Sequence, residues 1–98
     1  MSYSEIITAD MRLVILRVLE QDASYSHNEY VLQSALGGLG HTISADRLHT
    51  ELRWLEEQQL ITIDNSSGVF VAKLTNRGAD AALGRARIDG IARPRPGG

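Results

Sequence analysis

Leu48, Leu52 and Leu55 recur at steps of four and three between Ser44 and a polar run that ends at Gln59. Residues three and four apart share one side of a helix, so this spacing commits the stretch to a helix with a single apolar face. Ser44 is suited to cap it, Asp46 puts a negative charge in its first turn, and Ile43 is placed to tuck beneath its start. The helix is predicted over 45–58. Directly after it come two runs rich in branched residues, 60–64 and 69–74, separated by Asn65, Ser66, Ser67 and Gly68. Short branched runs bounded by residues that tolerate turn dihedrals read as a hairpin. A helix with one bare side, followed at once by a hairpin, narrows the possible folds more than any other feature.

Upstream, Met11, Val14, Ile15, Val18 and Leu19 lie on one helical face, and Thr8 with Asp10 suits the start of that helix. It is predicted over 9–21. After a polar break at 24–26, Ser26 or Asn28 can cap a second helix carrying Val31, Leu32, Ala35 and Leu36. Gly37 and Gly38, followed by Leu39 and Gly40, offer the left-handed conformations that stop a helix and turn the chain. Beyond the hairpin, Thr75 caps a fourth helix with Ala79, Ala82 and Leu83, fading near Ala86. The predicted class is α+β, mainly α, ordered helix, helix, helix, hairpin, helix. Residues 1–88 form the expected domain. Residues 89–98, rich in Pro, Gly and Arg, lack the apolar content to fold alone and are expected to form a mobile basic tail.

Composition excludes several function classes. The chain of 98 residues has no cysteine, which removes disulfides, thiolate nucleophiles and cysteine-based metal sites. No stretch approaches the length of a membrane span and the start lacks a secretion pattern, so a cytoplasmic protein is expected. His27, His41 and His49 form no i, i+4 pair, and a zinc or nickel site needs three or four convergent ligands. Neither a metal nor a cofactor is expected. No phosphate-binding glycine loop or nucleophile motif is present, so the chain is not read as an enzyme. Charge is unevenly spread: residues 1–72 carry four Arg against ten acidic groups, and residues 73–98 carry six Lys or Arg against two.

Residues 55–61, Leu-Glu-Glu-Gln-Gln-Leu-Ile, resemble the end of the recognition helix in winged regulators of the MarR, PadR and ArsR type. Residues 74–78, Leu-Thr-Asn-Arg-Gly, resemble the start of the helix that follows their wing. Gln59 departs from that pattern, standing where those families usually carry a helix-ending glycine. More narrowly, Asn28, Glu29, Gly40, His41, Ser44, Trp54, Leu55, Leu74 and Thr75 in this spacing resemble a family of small winged-helix proteins of Mu-like phages and prophages. The resemblance implies a winged helix-turn-helix, in which the third helix lies in the major groove and the hairpin lies along the backbone. The narrower resemblance implies a phage setting but no established activity, and together with the likeness to winged regulators it gives the expectation of a phage or prophage transcription regulator.

The candidate DNA-binding residues are Ser44, Ala45, Arg47, His49, Thr50 and Arg53 on the helix, Asn65, Ser66 and Ser67 at the wing tip, and Lys73 beside it. Arg, Thr and His can meet phosphates or base edges. Asp46, Glu51, Glu56 and Glu57 in the same region would repel phosphate. Partners are therefore double-stranded DNA, met by a homodimer whose first and last helices pair, or else a phage protein held by an interaction module without DNA readout. Trp54 reads either as the edge of the core or as part of an interface. Arg85, Arg87, Arg93 and Arg95 read either as an arm on a phosphate backbone or as a solvated terminus.

Overall fold

The computed structural model describes residues 1–96. Helix α1 (Tyr3–Gln21) begins earlier than the predicted 9–21, because Ser2 and Glu5 close a capping box that satisfies two backbone amides reciprocally. Thr8, predicted as the cap, lies inside the helix. The added turn shows Tyr3 and Ile6 to solvent, which is why apolar periodicity gave no sign of it. Met11, Ile15, Leu16 and Leu19 of α1 are buried, with Val14 and Val18 partly covered.

Helix α2 (Glu29–Gly38) is capped by Asn28, whose side chain accepts the Val31 amide at 2.9 Å. Of the four residues predicted to turn the chain at its end, Gly40 takes the left-handed conformation, at φ +99°. The His41 amide then reaches the Leu36 carbonyl at 2.7 Å and the Gly40 amide the Gly37 carbonyl at 3.5 Å, the paired bonds of a Schellman end. Helix α3 (Ala45–Glu57) has the Ser44 cap, and Leu48, Leu52 and Leu55 are at most 1% exposed. Its end has the same Schellman bonds, Leu60 amide to Leu55 carbonyl and Gln59 amide to Glu56 carbonyl, with Gln59 at φ +64°. Glutamine therefore adopts the conformation for which glycine is the usual choice.

Strands β2 (Ile61–Asp64) and β3 (Val71–Leu74) form the hairpin, and Thr75 caps helix α4 (Asn76–Ala82). Helix α4 stops short of Ala86, where the Arg85 amide turns back to the Asp80 carbonyl at 2.8 Å. A third strand, β1 (Ser26–Asn28), was not predicted. It pairs antiparallel with β3, giving the sheet order β1-β3-β2. The core lies where α1, α2 and α3 meet the sheet and α4, and its fully buried members include Ile15, Leu16, Leu32, Leu36, Leu52 and Leu60.

Residues 89–96, expected to form a mobile tail, lie against the body in this structure. The Ala92 amide donates to the Ala9 carbonyl at 3.1 Å, and Ile88 and Ile91 pack on the core. Ile91 supplies apolar contact within the segment that a composition rich in Pro, Gly and Arg concealed, and Ile88 adds to it from just before the segment. Gly97 and Gly98 fall outside the described residues.

Candidate nucleic-acid interface

With its leucines turned inward, α3 presents Ala45, Asp46, Arg47, Thr50, Arg53 and Glu57 to solvent. Its arginines are engaged by carboxylates. Arg47 Nε donates to Glu51 Oε2 at 2.8 Å, and its Nη2 donates to Thr8 Oγ1 on α1 at 2.7 Å. The other oxygen of Glu51 accepts Arg12 Nε at 2.7 Å. Glu51 is 4% exposed, so a buried carboxylate sits between two guanidinium groups and joins α1 to α3. Removing one partner of such a set would leave a buried charge uncompensated. Arg53 Nη1 donates to Glu56 Oε1 at 2.9 Å, and its guanidinium lies 4.5 Å from the centre of the Phe70 ring. Ser44 is occupied as the cap and the Thr50 hydroxyl donates to the Asp46 carbonyl at 3.1 Å.

His49 belongs to a second junction that sequence reading missed. Its Nε2 lies 2.6 Å from Glu29 Oε1, and its ring stacks on Phe70 with centroids 4.4 Å apart. The second Glu29 oxygen accepts the Phe70 amide at 2.7 Å. These two bonds, the Phe70 amide first and His49 second, hold the Glu29 carboxyl below its ordinary value. An ionised carboxylate only accepts, so His49 is the donor. The available signal was an acidic residue immediately after the Asn28 cap. Its partners, 20 and 41 positions away, were not readable.

At the hairpin tip, Asn65, Ser66 and Ser67 are exposed, as is Lys73 on β3. The Ser66 amide donates to Asp64 Oδ1 at 2.8 Å, which lowers the Asp64 carboxyl and keeps a negative charge at the base of the turn. Trp54 packs partly buried on the core with the Arg12 guanidinium 3.7 Å from its ring centre.

Protein gp26 of Escherichia phage Mu, described as uncharacterized, is 48% identical over 93 residues, which cover 95% of this chain and 96% of gp26. The chain belongs to the family of phage Mu gp26. An uncharacterized protein of Haemophilus influenzae is 49% identical to it over 78 residues, covering 79% of this chain and 76% of that protein. No family model matches the chain, and no solved structure does.

In this gp26-family protein the α3 candidates share one helix, and Arg53 is joined to the hairpin side through Phe70. Among the described residues, the candidates at the tip make no side-chain hydrogen bond or ion pair to α3. Each histidine has a carboxylate of its own, Asp22 for His27, Asp10 for His41 and Glu29 for His49. Among the described residues no three metal-ligating side chains converge, and no helix is long and apolar enough to cross a membrane.

Proposed function

We propose that this protein binds duplex DNA as a phage or prophage regulator of the winged helix-turn-helix kind, with α3 in the major groove and the β2–β3 hairpin as wing. The observation that carries the reading is one-sided burial: α3 packs Leu48, Leu52 and Leu55 inward and leaves Ala45, Thr50 and Arg53 open, with an exposed hairpin directly behind it. A recognition helix needs that free side. The order of three helices and a hairpin supports the same reading, and kinship to a phage protein supports its phage setting. The test is a mobility shift with phage genomic fragments at low salt. Thr50→Ala combined with Arg53→Ala is expected to lower the preference for a specific fragment about tenfold, the worth of one base contact. Absence of any shift with the unaltered protein would end this reading.

A second reading is favoured by the pairing of Arg47 and Arg53 with Glu51 and Glu56, which draws cations away from phosphate. In it the fold serves as a protein-interaction module in phage assembly, packaging or anti-repression. A purified complex with a phage protein that persists at high salt, alongside no binding to DNA, would support it.

A further inference from the structure

We propose that the ionic hold on the DNA backbone is supplied by an ordered arginine face at residues 85–95, packed along α1, and that α3 contributes little of it. This rests on the duplex-binding reading above.

The distribution of partners separates the arginines into two groups. Arg12, Arg47 and Arg53 each lie within 2.9 Å of a glutamate oxygen. Arg77 Nε donates to the Gln58 carbonyl at 3.0 Å, and Arg85 stands 3.8 Å from Asp80. Arg87, Arg93 and Arg95 are exposed and have no hydrogen-bond or ion-pair partner among the described residues. Residues 85–96 hold four arginines against one aspartate, a local charge of +3 on a chain of net charge −2.

These side chains stand on a backbone held in place. Arg12 Nη1 donates to the Gly90 carbonyl at 3.2 Å, and the Ala92 amide is tied to Ala9. Pro94 and Pro96 disfavour helical conformations at Arg93 and Arg95, which lie outside any helix. Fixing the backbone beforehand removes ordering cost from binding.

The face is concave. Arg93 and Arg95, with Arg17, line a groove of about 650 Å³ whose other walls include Ile6 and Leu13. A second groove of about 230 Å³, lined by Arg85 and Arg87, shares Arg93 and Pro94 with the first. Asp10 also lines the larger groove; its Oδ2 pairs with His41 Nε2 at 2.7 Å, and its charge sets a negative group at that wall against the arginines. At Arg87, Arg93 and Arg95, guanidinium groups without carboxylates present paired donors that match phosphate oxygens. The segment meets α3 at Gly90, where a β-carbon would approach the Trp54 ring to 2.9 Å, so its position is fixed relative to that helix.

The experiment follows fluorescence anisotropy of a labelled duplex with the full chain between about 50 and 200 mM salt. Replacing Arg87, Arg93 and Arg95 together by Gln is expected to lower the slope of log affinity against log salt by about 2.7, the value for three phosphate contacts. Replacing the same three by Lys restores most of the slope, and Arg77→Gln leaves it unchanged. Unaltered Trp54 emission in the Gln variant confirms that its fold is intact. Binding by the native protein with the same slope in the Gln variant would overturn this proposal and leave the duplex reading standing. Competition by polyglutamate at equal charge concentration would overturn it in favour of an acidic protein partner. No binding to duplex by the native protein would overturn both.

Discussion

Both oxygens of the Glu29 carboxylate are occupied, one by the Phe70 amide and one by His49, so a single side chain joins α2, α3 and the lead-in to β3. Glu29→Ala would strand the Phe70 amide, and the expected loss of stability is about 2 kcal/mol in urea unfolding at neutral pH. The pH dependence follows from the depressed carboxyl. Its contribution is fully present above the ordinary value near 4.5 and is lost as pH falls through the lower folded value. Unfolding midpoints at neutral pH and at about pH 3 should therefore draw closer in Glu29→Gln than in the native protein. An equal acid loss in both would show that other groups set the acid limit. Gln59 gives a prediction of opposite sign. Its left-handed backbone strains a residue with a β-carbon, and Gln59→Gly is expected to raise stability by about 0.5–1 kcal/mol in the same assay. A lower midpoint would mean that the Gln59 side chain has stabilising contacts which outweigh the strain.

At the scale of elements, helix α3 is held by burial along one side, and Leu52→Ala, at a position fully shielded from water, should cost about 2–5 kcal/mol. Gly78 marks where α4 crosses the end of α3. A β-carbon there would overlap the Leu60 carbonyl oxygen and approach Leu74 Cδ1 to 2.6 Å. Gly78→Ala should therefore destabilise by about 3 kcal/mol, visible as a lowered thermal midpoint. Elements whose determinants are local were legible from sequence: the Ser44 cap with its leucine repeat, the turn-bounded strands, and the Thr75 cap. Strand β1 was not, because three polar residues become a strand only through backbone pairing with β3, some 45 positions away. The true start of α1 was written in Ser2 and Glu5 and was masked by the exposed Tyr3 and Ile6.

At the scale of the molecule, the candidate interface was legible as residue types and not as partners. Arg47 and Glu51 stand at an i, i+4 spacing that permits pairing, yet nothing local tells that Arg12 takes the other oxygen. The closing segment is likewise defined by distant contacts. Gly90, at φ +91°, lies where a β-carbon would approach the Trp54 ring to 2.9 Å. Gly90→Ala is expected to displace that segment and shift the emission of Trp54, the single tryptophan, toward longer wavelength. An unchanged spectrum would place the segment elsewhere. One further consequence lies at the foot of the hairpin. Thr75 Oγ1 donates to the Gln59 carbonyl at 2.8 Å, its amide donates to the Leu60 carbonyl at 3.1 Å, and Arg77 grips Gln58. The two flanking helices are thus stapled together beneath the ribbon, and its outer bend bears none of the molecule's weight. A foreign peptide or a fluorescent label grafted between Ser66 and Ser67 would extend into water without loosening the scaffold.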